Sequence, residues 1–132
     1  DRMDRLKDGS KLIIDYKSGA VAVSKMIGNP IEQAQLPIYA ISNTVDGVAF
    51  AAINPSDCQF KAITKNKSAL PLKPQAKSKM PEWDIQLMEW YSTLNSVSDD
   101  FQNGIAKVLP TKNACEFCGY DLLCRVEKSP NH

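Results

Sequence analysis

Asp4, Asp15 and Lys17 are the residues whose types and spacing could do chemistry together. They lie in the opening run Asp1-Arg-Met-Asp-Arg-Leu-Lys-Asp-Gly-Ser-Lys-Leu-Ile-Ile-Asp-Tyr-Lys17. Lys11 to Lys17 has the β-branched and aromatic composition of a strand, and Asp8-Gly9 is a hairpin turn signal. A two-residue Asp8-Gly9 loop pairs Lys7 with Ser10 and therefore Asp4 with Ile13. Side chains alternate along a strand, so Ile13, Asp15 and Lys17 share a face with Asp4. Asp4 is then the diagonal neighbour of Asp15, at roughly 7–8 Å. Two such carboxylates repel unless a cation or proton lies between them, and both reach one ion bound at about 2.0–2.6 Å. Oxygen-only ligation favours Mg²⁺ or Mn²⁺ over zinc. Such an ion polarises a phosphoryl oxygen and lowers the pKa of bound water. A lysine on the same face can hold the attacking water or offset charge developing on the phosphate. This is the chemistry of a phosphodiester hydrolase, and it depends on the turn. A three-residue loop slips the register by one and puts Asp4 on the other face. In the plainer alternative all three are solvated charges on an exposed hairpin. With 23% of the chain charged, an Asp-x-Lys tripeptide does not decide between them.

The elements that must position these groups are legible downstream. Lys17 to Asn29, with Ser18-Gly19 and Gly28-Asn29-Pro30, reads as irregular. Pro30 marks a helix start, and the helix is expected over Ile31–Asn43 with Leu36, Tyr39 and Ala40 inward. Pro37 inside it should kink it or break a hydrogen bond. Gln35 and Tyr39, four apart, stack on one helix face. Val48 to Ile53 reads as a strand buried on both faces, and Cys58 to Thr64 as another. Strands, helix, then strands imply an α/β (α+β) sheet layered against helices. Lysines at 61, 65, 67, 73, 77 and 79 meet no acidic residue within that stretch, where Pro71 and Pro74 exclude a helix. The stretch is either a solvated linker or a loop contacting phosphates. From Pro81-Glu82 to about Asn103, with Gly104 as its stop, runs the longest helix. Its stripe Trp83, Leu87, Trp90, Leu94, Val97 and Phe101 reads as core rather than as a base-stacking surface.

Cys115-x2-Cys118-x5-Cys124 closes the chain. Three thiols within ten residues of a chain expected in the cytoplasm argue for metal rather than disulfides. Zinc could be held as Cys₃His with His132 or as Cys₄ with Cys58. A metal-free segment is the remaining reading. A length of 132 residues suits one domain, divided into a core at 1–64, a basic linker at 65–80, a long helix at 81–104 and a cysteine region at 105–132. The net charge of +1 leaves nucleic-acid binding to local patches. No run of 18 apolar residues indicates a membrane.

The ordered set Arg2-Met3-Asp4-Arg5, Asp15-Tyr16-Lys17-Ser18-Gly19, Gln35-Leu36-Pro37-Ile38-Tyr39 and Cys115 to Cys124 resembles the PD-(D/E)xK nuclease superfamily, in particular its RecB/AddB-like exonuclease branch. The resemblance implies a restriction-endonuclease-like mixed β-sheet flanked by helices, with a C-terminal cysteine cluster. It makes Asp4 and Asp15 the carboxylate ligands of Mg²⁺ or Mn²⁺, the Tyr16 carbonyl a third contact, Lys17 the catalytic lysine, and Gln35 and Tyr39 residues that order the site. It further implies a [4Fe–4S] cluster on Cys115, Cys118 and Cys124 in the full-length protein, DNA as substrate, and a helicase domain or subunit as partner. An upstream His or Glu ligand and a cysteine upstream of the active site belong to the pattern and are not in this sequence. The chain is therefore expected to be a C-terminal piece of a longer nuclease, carrying no cluster by itself. The rival is a DNA-binding or scaffolding module that keeps the fold without the reaction.

Overall fold

The computed structural model describes residues 1–55, 57–108, 110, 114–116, 118–120 and 123. Four strands, β1 (Arg2–Arg5), β2 (Lys11–Lys17), β3 (Gly47–Asn54) and β4 (Asp57–Thr64), form one sheet in the order β1-β2-β3-β4. The central pair β2 and β3 is parallel, and each outer pair is antiparallel. A parallel pair cannot be joined by a tight turn, and the connection here contains a 3₁₀ turn (Val23–Met26) and helix α1 (Gln35–Ser42). The expected mixed sheet with flanking helices is the fold found.

The strands follow from their apolar runs. Leu12, Ile13 and Ile14 are all buried, as are Val48 to Ala52, so the central strands are covered on both faces. Asp46 fastens their lower ends: its carboxylate accepts from the Lys11 N–H at 2.9 Å, its N–H donates to the Lys11 carbonyl, and its carbonyl accepts from Lys65. Gly47 follows because a Cβ there would lie 2.7 Å from Leu12 Cδ2 and from Thr64 Cγ2.

The helices depart from expectation in instructive ways. Helix α1 starts at Gln35, four residues later than the Ile31 expected, and this disposes of the proline problem. Pro37 falls in the first turn, where its missing N–H would have no intrahelical partner. Leu36, Pro37 and Ala40 take the buried face, so Tyr39 is turned out rather than in. Pro74 does not exclude a helix but opens a short one, α2 (Pro74–Ser78), at the position that tolerates proline. Helix α3 (Trp83–Gln102) packs against α1. Trp83 and Trp90 meet edge to face at 5.9 Å, and the Trp90 indole donates to the Met26 carbonyl. The apolar stripe is core only at its beginning. Leu87 and Leu94 are partly buried, whereas Val97 and Phe101 are 56% and 85% exposed, because α3 outruns the surface it packs on among the described residues. The acid-free lysine run also meets acids in three dimensions: Lys65 pairs with Asp84 at 3.4 Å and Lys67 with Glu82 at 3.1 Å, both exposed. No helix among the described residues is long and apolar enough to cross a membrane.

Candidate active site

The hairpin that opens the chain sets the geometry. Its loop is Lys7-Asp8-Gly9: the Gly9 N–H donates to the Leu6 carbonyl at 3.0 Å, and the Leu6 N–H donates to the Ser10 carbonyl at 2.8 Å. Gly9 has φ 87°, the left-handed residue that completes a three-residue hairpin loop. The Asp8 carboxylate accepts from the Ser10 hydroxyl at 2.6 Å and the Ser10 N–H at 3.0 Å. These bonds, the side-chain one foremost, hold the Asp8 carboxyl below its ordinary pKa.

The loop length decides which aspartate reaches Asp15. The pairs are Asp4 with Leu12, Met3 with Ile13 and Arg2 with Ile14, one step away from the expected pairing of Asp4 with Ile13. A one-residue slip turns every β1 side chain to the opposite face. Asp4 therefore lies with Leu12, Ile14 and Tyr16, not with Asp15. There its Oδ2 accepts from Arg2 Nη2 at 2.7 Å, and the Arg2 guanidinium lies 5.8 Å from the Tyr16 ring centre. The expected convergence of Asp4 and Asp15 does not form.

Asp1 stands where Asp4 was expected. One step beyond Arg2 and Ile14, the same register sets Asp1 opposite Asp15, and side chains directly opposite share a face. The Asp1 carboxylate is held by Gln35, whose Nε2 donates to Asp1 Oδ2 at 2.6 Å. Gln35 Oε1 accepts from Lys17 Nζ at 3.2 Å, and Lys17 Nζ lies 2.7 Å from Asp15 Oδ2. A continuous chain of contacts thus runs Asp1, Gln35, Lys17, Asp15. Gln35 enters it as the first residue of α1, and Tyr39 stands one turn further along that exposed edge. The signal for Asp1 was present in the sequence: Asp1-Arg2 and Asp4-Arg5 repeat the same dipeptide, and Ser10 after Gly9 favours the longer loop by binding Asp8.

Asp15 is 2% exposed, while the Lys17 side chain is about one-third exposed. The ammonium approaches Asp15 Oδ2 closely but off the direction of a hydrogen bond, so this buried oxygen makes an ion pair and no hydrogen bond. A buried, charged oxygen with unused lone pairs beside a second carboxylate is an oxygen-only donor set that suits a hard divalent cation. Mg²⁺ needs no more from the protein than one or two carboxylates, because water and substrate phosphate complete its shell. No group of three His, Cys, Asp or Glu side chains comes together among the described residues. A groove of about 710 Å³ lined by Ile41, Thr44, Leu87, Met88 and Tyr91 lies between α1 and α3 and includes neither Asp15 nor Lys17.

The cysteine segment is described in part. Cys115 and Cys118 are half-buried in a turn in which the Cys118 N–H donates to the Cys115 carbonyl at 3.4 Å, and Cys58 is exposed on β4. Cys124 and His132 lie outside the described residues.

The comparisons bear on the whole of this arrangement. Neither a curated protein nor a solved structure matches the chain. The profile of the PD-(D/E)XK nuclease superfamily matches residues 1–125. That match spans the hairpin, the Asp15-x-Lys17 strand, the helix carrying Gln35 and the three cysteines at 115, 118 and 124 together. The chain belongs to the PD-(D/E)XK nuclease superfamily.

Proposed function

We propose that this chain is the active-site part of a Mg²⁺- or Mn²⁺-dependent deoxyribonuclease of the RecB-like exonuclease kind, working with a helicase domain or subunit in DNA repair or recombination. The observation that carries the reading is the contact chain from Asp1 through Gln35 and Lys17 to the buried Asp15. Asp1 and Asp15, with the Tyr16 backbone carbonyl, would hold the cation, and Asp4 would not. When bound, the ion would polarise a phosphoryl oxygen and acidify a water.

The protein's own groups do the rest. Lys17, tethered between Asp15 and Gln35, presents ammonium protons at the strand end, where they can orient the attacking water and offset charge on the phosphate. Gln35 uses both ends of its amide, donating to Asp1 and accepting from Lys17, and so fixes the spacing of carboxylate and amine. Tyr39, exposed one turn beyond Gln35, would meet a neighbouring phosphate of the strand. For the cysteine segment we propose a [4Fe–4S] cluster on Cys115, Cys118 and Cys124, with a fourth thiolate from elsewhere in the full-length protein. Brown colour and visible absorption after anaerobic purification are the expected signs, and a colourless zinc-loaded protein would refute it.

The test of the catalytic assignment is cleavage of labelled single- and double-stranded DNA by the full-length protein with Mg²⁺ or Mn²⁺. Asp15→Asn and Lys17→Met should each lose at least about a hundredfold in rate, the scale of removing one electrostatic stabiliser from a transition state. DNA binding without cation-dependent cleavage in the parent would instead mark a scaffolding module that keeps only the fold.

A further inference from the structure

Lys61 is a further charged group on the face that carries the site. It pairs across the ladder with Phe50, which pairs with Asp15, so all three side chains project to the same side of the sheet. Two strand spacings put Lys61 roughly 9–10 Å from Asp15. Its ammonium is engaged away from Asp15. Lys61 Nζ donates to the Val21 carbonyl at 3.0 Å in a partly buried contact.

Val21 is the significant end of that bond. Chain leaving Lys17 passes through Ser18, Gly19 and Ala20, which are exposed and belong to no helix or strand. None of the three anchors the strand end. The first buried residue is Val21, and the 3₁₀ turn that follows it contacts β4. Asp15 and Lys17 thus sit at the last firmly paired positions of β2, and the segment beyond them is tied down by Val21 and Lys61.

We propose that Lys61 is a positioning residue for Lys17. By clamping the Val21 carbonyl it closes the segment 18–21 over the sheet and keeps the Lys17 ammonium against Asp15 and Gln35. The proposal rests on the nuclease reading for its consequence in catalysis, but the positioning itself is measurable without any DNA. A displacement of about 1 Å at a reacting group costs up to a hundredfold in rate, so loss of the clamp should lower kcat roughly tenfold to a hundredfold with KM within threefold.

The experiment compares Lys61→Met, Lys61→Gln and Lys61→Arg in the full-length protein, each checked for folding by thermal denaturation. The first readout is the rate of reductive methylation at Lys17, followed by mass spectrometry in the absence of DNA. Release from Asp15 should speed labelling several-fold in Lys61→Met and Lys61→Gln, and Lys61→Arg, which can still donate to Val21, should restore the parent rate. The second readout is kcat against KM on DNA, with the same rescue by arginine. Unchanged Lys17 labelling in folded Lys61→Met or Lys61→Gln would overturn the proposal. So would equal loss in all three variants tracking a lowered Tm, the mark of a purely structural role. Failure of the nuclease reading looks different: the parent protein would not cut, while the labelling comparison would still report on the clamp.

Discussion

The assignment of Asp1 over Asp4 is open to direct test by exchanging one carboxylate at a time. Asp4 is partly exposed and its carboxylate pairs with Arg2 on the Tyr16 side of the hairpin. An exposed pair of this kind contributes about 0–1 kcal/mol, which bounds the effect of Asp4→Asn on the rate at about fivefold. Asp1 lies on the Asp15 side and is fixed by Gln35. Removing one of two anionic donors from a divalent-ion site forfeits several kcal/mol of charge stabilisation. At 1.36 kcal/mol per decade, about 3–4 kcal/mol is two to three decades in rate. The assay is cleavage of labelled DNA by full-length Asp1→Asn and Asp4→Asn proteins under saturating Mg²⁺, with Mn²⁺ affinity measured by calorimetry alongside. Asp1→Asn should weaken Mn²⁺ binding and cutting together, and Asp4→Asn should leave both near the parent level. The reverse pattern would mean that the hairpin folds with the two-residue loop, and the contact chain built on Asp1 would fall with it.

Two further predictions concern the frame around the site. Gly47→Ala places a methyl 2.7 Å from Leu12 Cδ2 and Thr64 Cγ2 and 3.0 Å from the Ile63 carbonyl. Overpacking of this kind costs about 1–3 kcal/mol, so Tm should fall by several degrees, and an unchanged Tm would contradict the close approach of β2 and β4 to that backbone. Asp8 has its pKa lowered by Ser10, so its stabilising contribution is full above the ordinary aspartate range and is lost as pH falls through the lower, folded-state pKa. A carboxyl-carbon NMR titration should show Asp8 protonating below the ordinary aspartate range, and an ordinary midpoint would remove the loop geometry that sets the β1 register.

The difference between what the sequence disclosed and what it concealed is one of length scale. The runs Leu12-Ile13-Ile14 and Val48 to Ala52 identify central strands because burial on both faces needs apolar residues at every position. Trp83 and Trp90 likewise mark the packed half of α3. The register of β1 is set by a single residue of loop, and Asp8-Gly9 is compatible with either length. The three-residue loop that forms is the one in which Ser10 engages Asp8 through both its hydroxyl and its N–H. Tyr39 reads as inward on a helix wheel, yet Pro37 competes for the same buried face and, lying in the first turn, occupies it without loss of a hydrogen bond. Val97 and Phe101 follow the stripe faithfully and are still exposed, since periodicity tells which side of a helix is apolar but not where its partner surface ends. That Asp15 and Lys17 share a face was legible from alternation alone, and the carboxylate that the hairpin register sets opposite Asp15 was not.

Asp15 itself argues that this hairpin is more than architecture. It occupies a row with Phe50, inside a strand whose preceding three residues are apolar and buried. An apolar side chain there would continue the core at no electrostatic cost. The chain instead buries a carboxylate, which needs a partner to be tolerated, and supplies one in Lys17 at an angle that leaves Asp15 Oδ2 without a hydrogen bond. The ammonium that lies 2.7 Å from that oxygen also donates to Gln35 on α1, and Gln35 in turn reaches Asp1. Asp1 just before β1, Lys17 at the end of β2 and Gln35 at the start of α1 are thus linked to one buried carboxylate oxygen. Local rules of burial are broken in a folded chain chiefly where function requires it, and here the breach lies on the face where Asp15 and Lys17 are linked through Gln35 to Asp1.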